Sequence, residues 1–209
     1  MKLVKTELLI DKGDFSDSSA WKMLKGHIEE AIEAVVWPPG SNKFTIYAQS
    51  GKKRGEGNGV KPIKDAFAAK LTSFGWELEV QMDIATVSRP GKIDAVFDLT
   101  DSPLIQDKKH FAVEWETGNI SSSHRAVNKM AMGLLEKKLV GGVLVLPTRK
   151  LYNFLTDRIG NFRELSPYFP MWKSLNIDEG FLAVIAVEHD AESLDVPRIV
   201  KGTDGRAMI

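Results

Sequence analysis

Between Lys92 and Leu146 the chain reads as two short strands, a long helix and a buried strand, an order that leaves few folds open. Residues 93–99 and 111–117 alternate as strands do. A helix is expected over 121–139, where Ala126, Val127, Met130, Ala131, Leu134, Leu135 and Leu139 cover a wide apolar arc. Gly141 and Gly142 are expected to end it, and 143–146 is a continuous apolar run of the kind found in strands covered on both faces. Strands joined by a loop pair antiparallel, whereas a strand, a helix and a further strand make a crossover whose strands run parallel. Both connections occur in this stretch. The expected fold class is therefore α/β, a central mixed β-sheet flanked by helices.

The rest of the chain supplies layers for that sheet. Residues 3–10 read as a strand. Ser16, Asp17, Ser18 and Ser19 offer N-caps for a helix to about Val36, with Trp21, Leu24, Ile28, Ile32 and Val35 at helical spacing; Trp37-Pro38-Pro39-Gly40 ends it. His27, beside that stripe, reads as a packed or surface histidine rather than a ligand. A short strand is expected over 43–48. Pro62 opens a second helix with Ile63, Phe67, Leu71 and Phe74 on one stripe and Gly75 as its stop. Over 76–82, strict alternation predicts Trp76, Leu78, Val80 and Met82 inward and Glu77, Glu79 and Gln81 outward. A helix is expected over 148–159, a proline-interrupted helical stretch with Tyr168, Phe169, Met171 and Trp172 over 162–175, a last buried strand over 180–187, and an unpatterned polar tail over 190–209.

Acidic residues mark where chemistry would sit. Residues two apart on a strand share a face, so Glu114 and Glu116 are expected side by side with Ala112, and Phe111, Val113, Trp115 and Thr117 opposite. If the preceding strand brings Asp94 alongside, three carboxylates converge, and groups that close cannot all stay ionised in a dry site. An oxygen-only cluster suits Mg²⁺, which leaves room for substrate phosphate. A solvated edge-strand face would show the same acids. Against that, Gly118 to Arg125 form a polar turn into a helix start, a phosphate-binding arrangement, with Arg125 in the first turns. The reading is metal-assisted phosphodiester hydrolysis.

Composition restricts the alternatives. The 209 residues suffice for one domain with an ample core. The absence of cysteine excludes disulfides and thiolate metal sites and agrees with a cytoplasmic location. No apolar run is long enough for a membrane span or a signal-peptide core. With 28 basic and 28 acidic residues the net charge is zero, so any affinity for nucleic acid must be local, as in the cluster Lys52, Lys53, Arg54, Lys61 and Lys64 or the basic residues Lys108, Lys109, Arg125 and Lys129 near the acidic strand. The stretch 49–59, with four glycines, is read either as a mobile basic flap over phosphates or as a solvated hairpin tip. It lacks the Gly-Lys-Ser/Thr helix start of a nucleotide-binding loop, so no nucleotide cofactor is implied.

The segment EWETGNISSSHRAVNKM resembles the catalytic strand and following helix of the BamHI restriction endonucleases, within the PD-(D/E)XK nuclease group. WPPGSNKFTI, NGVKPIKDAF, GKID, LTDRIGNFRELSPYF and VPRIVKGTDG resemble further segments of that family in the same order, so the likeness runs from Trp37 to Gly205. It implies a homodimer on double-stranded DNA, cutting the palindrome GGATCC after the first G. It implies Asp94, Glu114 and the Trp115 carbonyl as Mg²⁺ ligands, two ions per site, with Glu79 or Glu77 as a fourth acid. Glu116, where most of the group carry lysine, would be the general base. Asn119, Ser121, Arg125, Asp157 and Arg158 would read bases in the major groove; Gly202 and Asp204 would correspond to a minor-groove contact, and Lys61 would meet phosphate. The 121–139 helix and the Tyr168 to Trp172 group would form much of the dimer face. The family continues beyond Asp204 into a helical segment that this sequence does not share. A non-cleaving DNA-binding protein of the same fold is the second reading, and a metal-free carboxylate-pair glycosidase the third.

Overall fold

A computed structural model describes residues 1–53, 56–85, 91–100, 109–156 and 159–201. Its main sheet has six strands: β1 (Lys2–Lys12), β7 (Gly180–Glu188), β6 (Leu139–Pro147), β5 (His110–Trp115), β4 (Lys92–Asp98) and β3 (Glu77–Gln81), in that spatial order. β3, β4 and β5 pair antiparallel in sequence, β5, β6 and β7 run parallel, and β1 closes the far edge antiparallel to β7. The mixed sheet is thus the expected one. Its parallel pair β5–β6 is made by the expected crossover through α3 (Ile120–Leu135). A second, two-stranded sheet pairs β2 (Thr45–Tyr47) with β8 (Ala191–Ser193) in parallel, a strand that the polar tail had not foretold.

Each face of the main sheet carries its own core. On one side α1 (Ser19–Glu33) and α2 (Lys61–Ser73) cover Phe111, Val113 and Trp115, with Leu24, Ile28, Ile32, Phe67 and Leu71 buried among them. Ser18 caps α1 by accepting from the Trp21 backbone N–H at 3.0 Å, a contact that contributes about 1 kcal/mol. On the other side α3 and α6 (Phe169–Lys173) cover Ala112, Leu144 and Val184. The two-residue alternation of β5 is therefore visible in which core each side chain enters. His27 is a packing residue, stacked 4.3 Å from Phe74 and accepting a bond from the Trp76 indole at 3.3 Å.

Several expectations need correction. α3 stops at Leu135, and the left-handed residue beyond it is Lys137 (φ 56°) rather than a glycine. Gly141 and Gly142 lie inside β6, where a Cβ would come 2.5 Å from the Phe111 ring and 2.5 Å from the Met130 sulfur; they are glycine so that helix and ring can press on the strand. The helix expected over 148–159 reduces to α4 (Arg149–Tyr152), capped by Thr148. The stretch 162–175 is broken into α5 (Phe162–Leu165), a 3₁₀ turn and α6. In β3 the alternation slips: Trp76 enters the α1/α2 core, Leu78 is 40% exposed, and Val80 and Met82 pack on the α3 side. The cause is Glu79, at φ 54°, which a strand residue other than glycine rarely adopts. β4 shows the same slip, with Ile93 in one core and Ala95 in the other, so both irregularities flank Asp94.

The stretch 49–59 is anchored in its described part. Cβ atoms at Gly51 and Gly57 would collide with the Leu155 carbonyl, at 1.6 and 3.0 Å, and one at Gly59 with that of Val200 at 2.2 Å. Asn58, fully buried, donates to the Tyr47 and Phe154 carbonyls at 2.8 and 2.9 Å and accepts from the Ile199 N–H at 3.2 Å. Four separate segments are tied at one side chain.

Candidate active site

The register places three acids in a row across the sheet. Leu78 pairs with Ala95 and Val80 with Ile93, which sets Glu79 opposite Asp94; continuing the Ala95–Val113 register by one sets Asp94 opposite Glu114. At this point side chains replace the regular ladder. The Trp115 N–H donates to Asp94 Oδ2 at 2.9 Å, and the Asp94 N–H to Glu114 Oε2 at 3.3 Å. Glu116, just past β5, keeps its N–H on the Val145 carbonyl (3.2 Å), while its carboxylate accepts from the Gly118 N–H at 2.6 Å. Asp94, Glu114 and Glu116 line one open cleft of about 850 Å³, together with Lys64, Arg125 and Lys129. Glu79 lies outside the lining, 3.8 Å from the Lys92 ammonium, although its charge is felt at Lys64. The register favours it over Glu77, which faces Val96.

Burial dominates the electrostatics, and crowded negative charge adds to it. Burial, and then the charge of Asp94, push the Glu114 carboxyl up to about 7, against the pull of Lys129 at 3.3 Å. Burial also raises Glu116, with the Gly118 N–H bond opposing and the charge of Asp94 adding to it. Burial of Lys64 works against its charge, but its 2.7 Å hydrogen bond to Asp94 and the charges of Asp94, Glu79 and Glu114 together outweigh that and hold its pKa above the ordinary lysine value. These two lysines are the site residues that sequence reasoning left unassigned. Their signal was positional: Lys64 stands three before Phe67, at the edge of the buried face of α2, and Lys129 one helical turn after Arg125 on α3.

The groups suit a hard divalent cation in their chemistry. All the donors are oxygens, and burial beside the charge of Asp94 holds the Glu114 carboxyl up at about 7, a position that added positive charge would relieve. Among the described residues, no three His, Asp or Glu side chains are already gathered as an ion cage; ammonium groups sit on the oxygens of Asp94 and Glu114 instead.

The model of the family described as restriction endonuclease BamHI matches residues 1–206. The chain belongs to the BamHI restriction endonuclease family. It is 47% identical over 208 residues to the type II restriction enzyme OkrAI of Oceanobacter kriegii, covering all of both chains. To the type II restriction enzyme BamHI of Bacillus amyloliquefaciens it is 33% identical over 181 residues, 85% of this chain and 79% of that one. The fold is similar to that of restriction endonuclease BglII complexed with a DNA 16-mer, at a TM-score of 0.56 and 9% identity over 90% of this chain and 79% of that one. Family membership makes the protein a type II site-specific deoxyribonuclease.

Within this BamHI-family chain the base-reading candidates are distributed unevenly. Asn119 is the N-cap of α3, its Oδ1 accepting from the Ser122 N–H at 3.2 Å; Ser121 and Arg125 face the cleft from the first turns, Arg125 with Nη2 3.4 Å from Ser122 Oγ. Lys61, at the start of α2, forms an exposed ion pair with Asp65. Asp157, Arg158, Gly202 and Asp204 lie outside the described residues. Tyr168 and Met171 are exposed while Phe169 and Trp172 are buried, so the aromatic group divides between core and surface. No helix among the described residues is long and apolar enough to cross a membrane.

Proposed function

We propose that this enzyme is a Mg²⁺-dependent homodimer, each chain a single catalytic domain, that cuts double-stranded DNA at GGATCC after the first G, leaving 5′ GATC overhangs, in the cytoplasm. The observation that carries the chemistry is the convergence of Asp94, Glu114 and Glu116 beside Lys64 in one cleft at the N-terminus of α3. The target follows from the similarity of GNISSSHR and LTDRIGNF to base-reading segments of the BamHI family, and the dimer from a two-fold palindrome needing two centres.

Asp94, Glu114 and the Trp115 carbonyl would hold the metal, two ions per centre, with Glu79 as a further acid. Bound Mg²⁺ supplies polarisation of the scissile phosphate and a more acidic water. The chain's own groups do the rest. Lys64 and the Trp115 N–H fix the two oxygens of Asp94, and Lys129 steadies Glu114. Glu116, held by the Gly118 N–H and raised by burial, takes a proton from the attacking water. The positive end of α3 and Arg125 face the phosphate. Asn119, Ser121, Arg125, Asp157 and Arg158 read base edges, Lys61 contacts phosphate, and Gly202 with Asp204 reaches the minor groove.

The test is digestion of a plasmid carrying single GGATCC, AGATCT and GAATTC sites, with Mg²⁺ or with EDTA. Cutting confined to GGATCC and abolished by EDTA is expected. Equal cutting at AGATCT contradicts the specificity, cutting in EDTA contradicts the metal, and tight binding to GGATCC without cutting in Mg²⁺ favours a non-cleaving protein.

A further inference from the structure

Each carboxylate oxygen of Asp94 and Glu114 already has a partner, and the partners are of two kinds. Asp94 Oδ2 accepts from the Trp115 N–H at 2.9 Å, and Glu114 Oε2 from the Asp94 N–H at 3.3 Å. Both of these donors are backbone, held in place by the sheet. Asp94 Oδ1 and Glu114 Oε1 face ammonium groups instead, Lys64 of α2 at 2.7 Å and Lys129 of α3 at 3.3 Å. The two lysines reach the acids from helices on opposite faces of the sheet.

Lys129 is the more firmly seated of the pair. Its side chain is 15% exposed, against 34% for Lys64. Its Nζ also donates to the Lys92 carbonyl at 2.5 Å, two residues before Asp94. The helix that carries it is fixed on the sheet, because Val127 and Met130 are buried and Asn128 accepts from the Trp172 indole at 2.8 Å. The docking of α3 therefore brings this ammonium to Glu114. A carboxylate oxygen can accept more than one partner, so its conflict with a divalent ion is one of charge rather than of lone pairs. Near a protein surface, like charges about 4 Å apart repel several times more strongly than in water.

We infer that Lys129 is the resident counter-cation of the metal centre: its ammonium balances Glu114 before a divalent ion arrives, competes with that ion for the carboxylate, and so sets the concentration at which the centre fills. This rests on the proposed metal role of Asp94 and Glu114. The support that Lys129 gives Glu114 then belongs to the metal-free state. A lysine that only shapes the site and a lysine that competes for it differ in sign. Removing the first weakens metal binding, and removing the second tightens it.

The experiment measures Mn²⁺, which shares the oxygen preference of Mg²⁺, by electron paramagnetic resonance of the free ion over DNA-free full chains. It is run at pH 8, above the value of about 7 to which Glu114 is raised, so that protons are not the main competitor. Wild type, Lys129→Gln and Lys129→Met are compared, each with and without Asp94→Asn, well below their unfolding temperatures. Gln drops the charge and keeps a donor for the Lys92 carbonyl, whereas Met drops both. Both variants should bind Mn²⁺ at least about tenfold more tightly than wild type, and Asp94→Asn should remove the gain. If Lys129→Met fails to fold, Lys129→Gln carries the comparison. Binding that depends on Asp94 but is unchanged or weaker in Lys129→Gln overturns the inference and leaves the metal reading standing. Tightening that survives Asp94→Asn overturns both. Binding to neither wild type nor Lys129→Gln overturns the inference, and the digestion in EDTA then decides the metal reading separately.

Discussion

Asp94 is the residue on which the proposed chemistry turns, and both of its oxygens are held, one by Lys64 and one by the Trp115 N–H. Asp94→Asn keeps the shape and removes the charge. Cleavage in Mg²⁺ should fall below detection while binding to GGATCC stays equal or tightens, since one negative charge facing phosphate is gone; wild-type turnover in a single-turnover assay would refute its role. Glu116→Lys should leave little activity, and full activity would show that Glu116 takes no proton. Glu114 gives a test that needs no DNA. Its carboxyl is raised from the ordinary 4.5 to about 7, chiefly by burial, so between those values the folded chain holds a proton that the unfolded chain has lost. Stability in EDTA should therefore fall as pH rises from about 4.5 to 7, by about 3 kcal/mol at most. Glu114→Gln should flatten that slope in urea titrations at pH 5 and pH 8, and an unchanged slope would contradict the assignment. Asp94, Glu114 and Glu116 were legible because a two-residue period and an antiparallel neighbour are local facts. Lys64 and Lys129 were not, because their arrival depends on how α2 and α3 dock on the sheet.

At the scale of elements, the sheet was readable where side-chain pattern and backbone agree, and unreadable where one backbone angle overrides the pattern. β5 sends Phe111, Val113 and Trp115 into one core and Ala112 into the other, as its alternation requires. β3 does not follow its equally regular alternation, since nothing in Trp-Glu-Leu-Glu-Val announces a positive φ at Glu79. Likewise Gly141 and Gly142 read as a helix stop because the ring of Phe111 and the sulfur of Met130, which need their bare Cα atoms, come from other elements. Strain at Glu79 beside the acids is the kind of backbone cost found at functional sites. It predicts an inverted order of stability: Glu79→Gly should be more stable than Glu79→Ala by about 1 kcal/mol, the reverse of a regular strand position. Thermal unfolding of both variants decides this, and the alanine variant proving the more stable would show that Glu79 is unstrained.

At the scale of the molecule, the proposed assembly and the proposed target follow the same symmetry. Met132 and Leu135 on α3, and Tyr168 and Met171 in the chain from α5 to α6, are large apolar side chains left exposed. The T-shaped contact of His124 with Tyr168 and the bond from the Trp172 indole to Asn128 Oδ1 at 2.8 Å join α3 to the 3₁₀ turn and to α6. A two-fold dimer across these elements should scatter light as about twice the 23.2 kDa chain; a monomer on a GGATCC duplex would refute it. Mapping the cut ends on both strands shows whether the Asp94 cleft cuts GGATCC. A single-site plasmid is digested in Mg²⁺ by wild type and by Asp94→Asn, and the ends are sequenced. Breaks after the first G of each strand, made by wild type alone, are the expected result; breaks elsewhere, or identical breaks made at equal rate by Asp94→Asn, would contradict it.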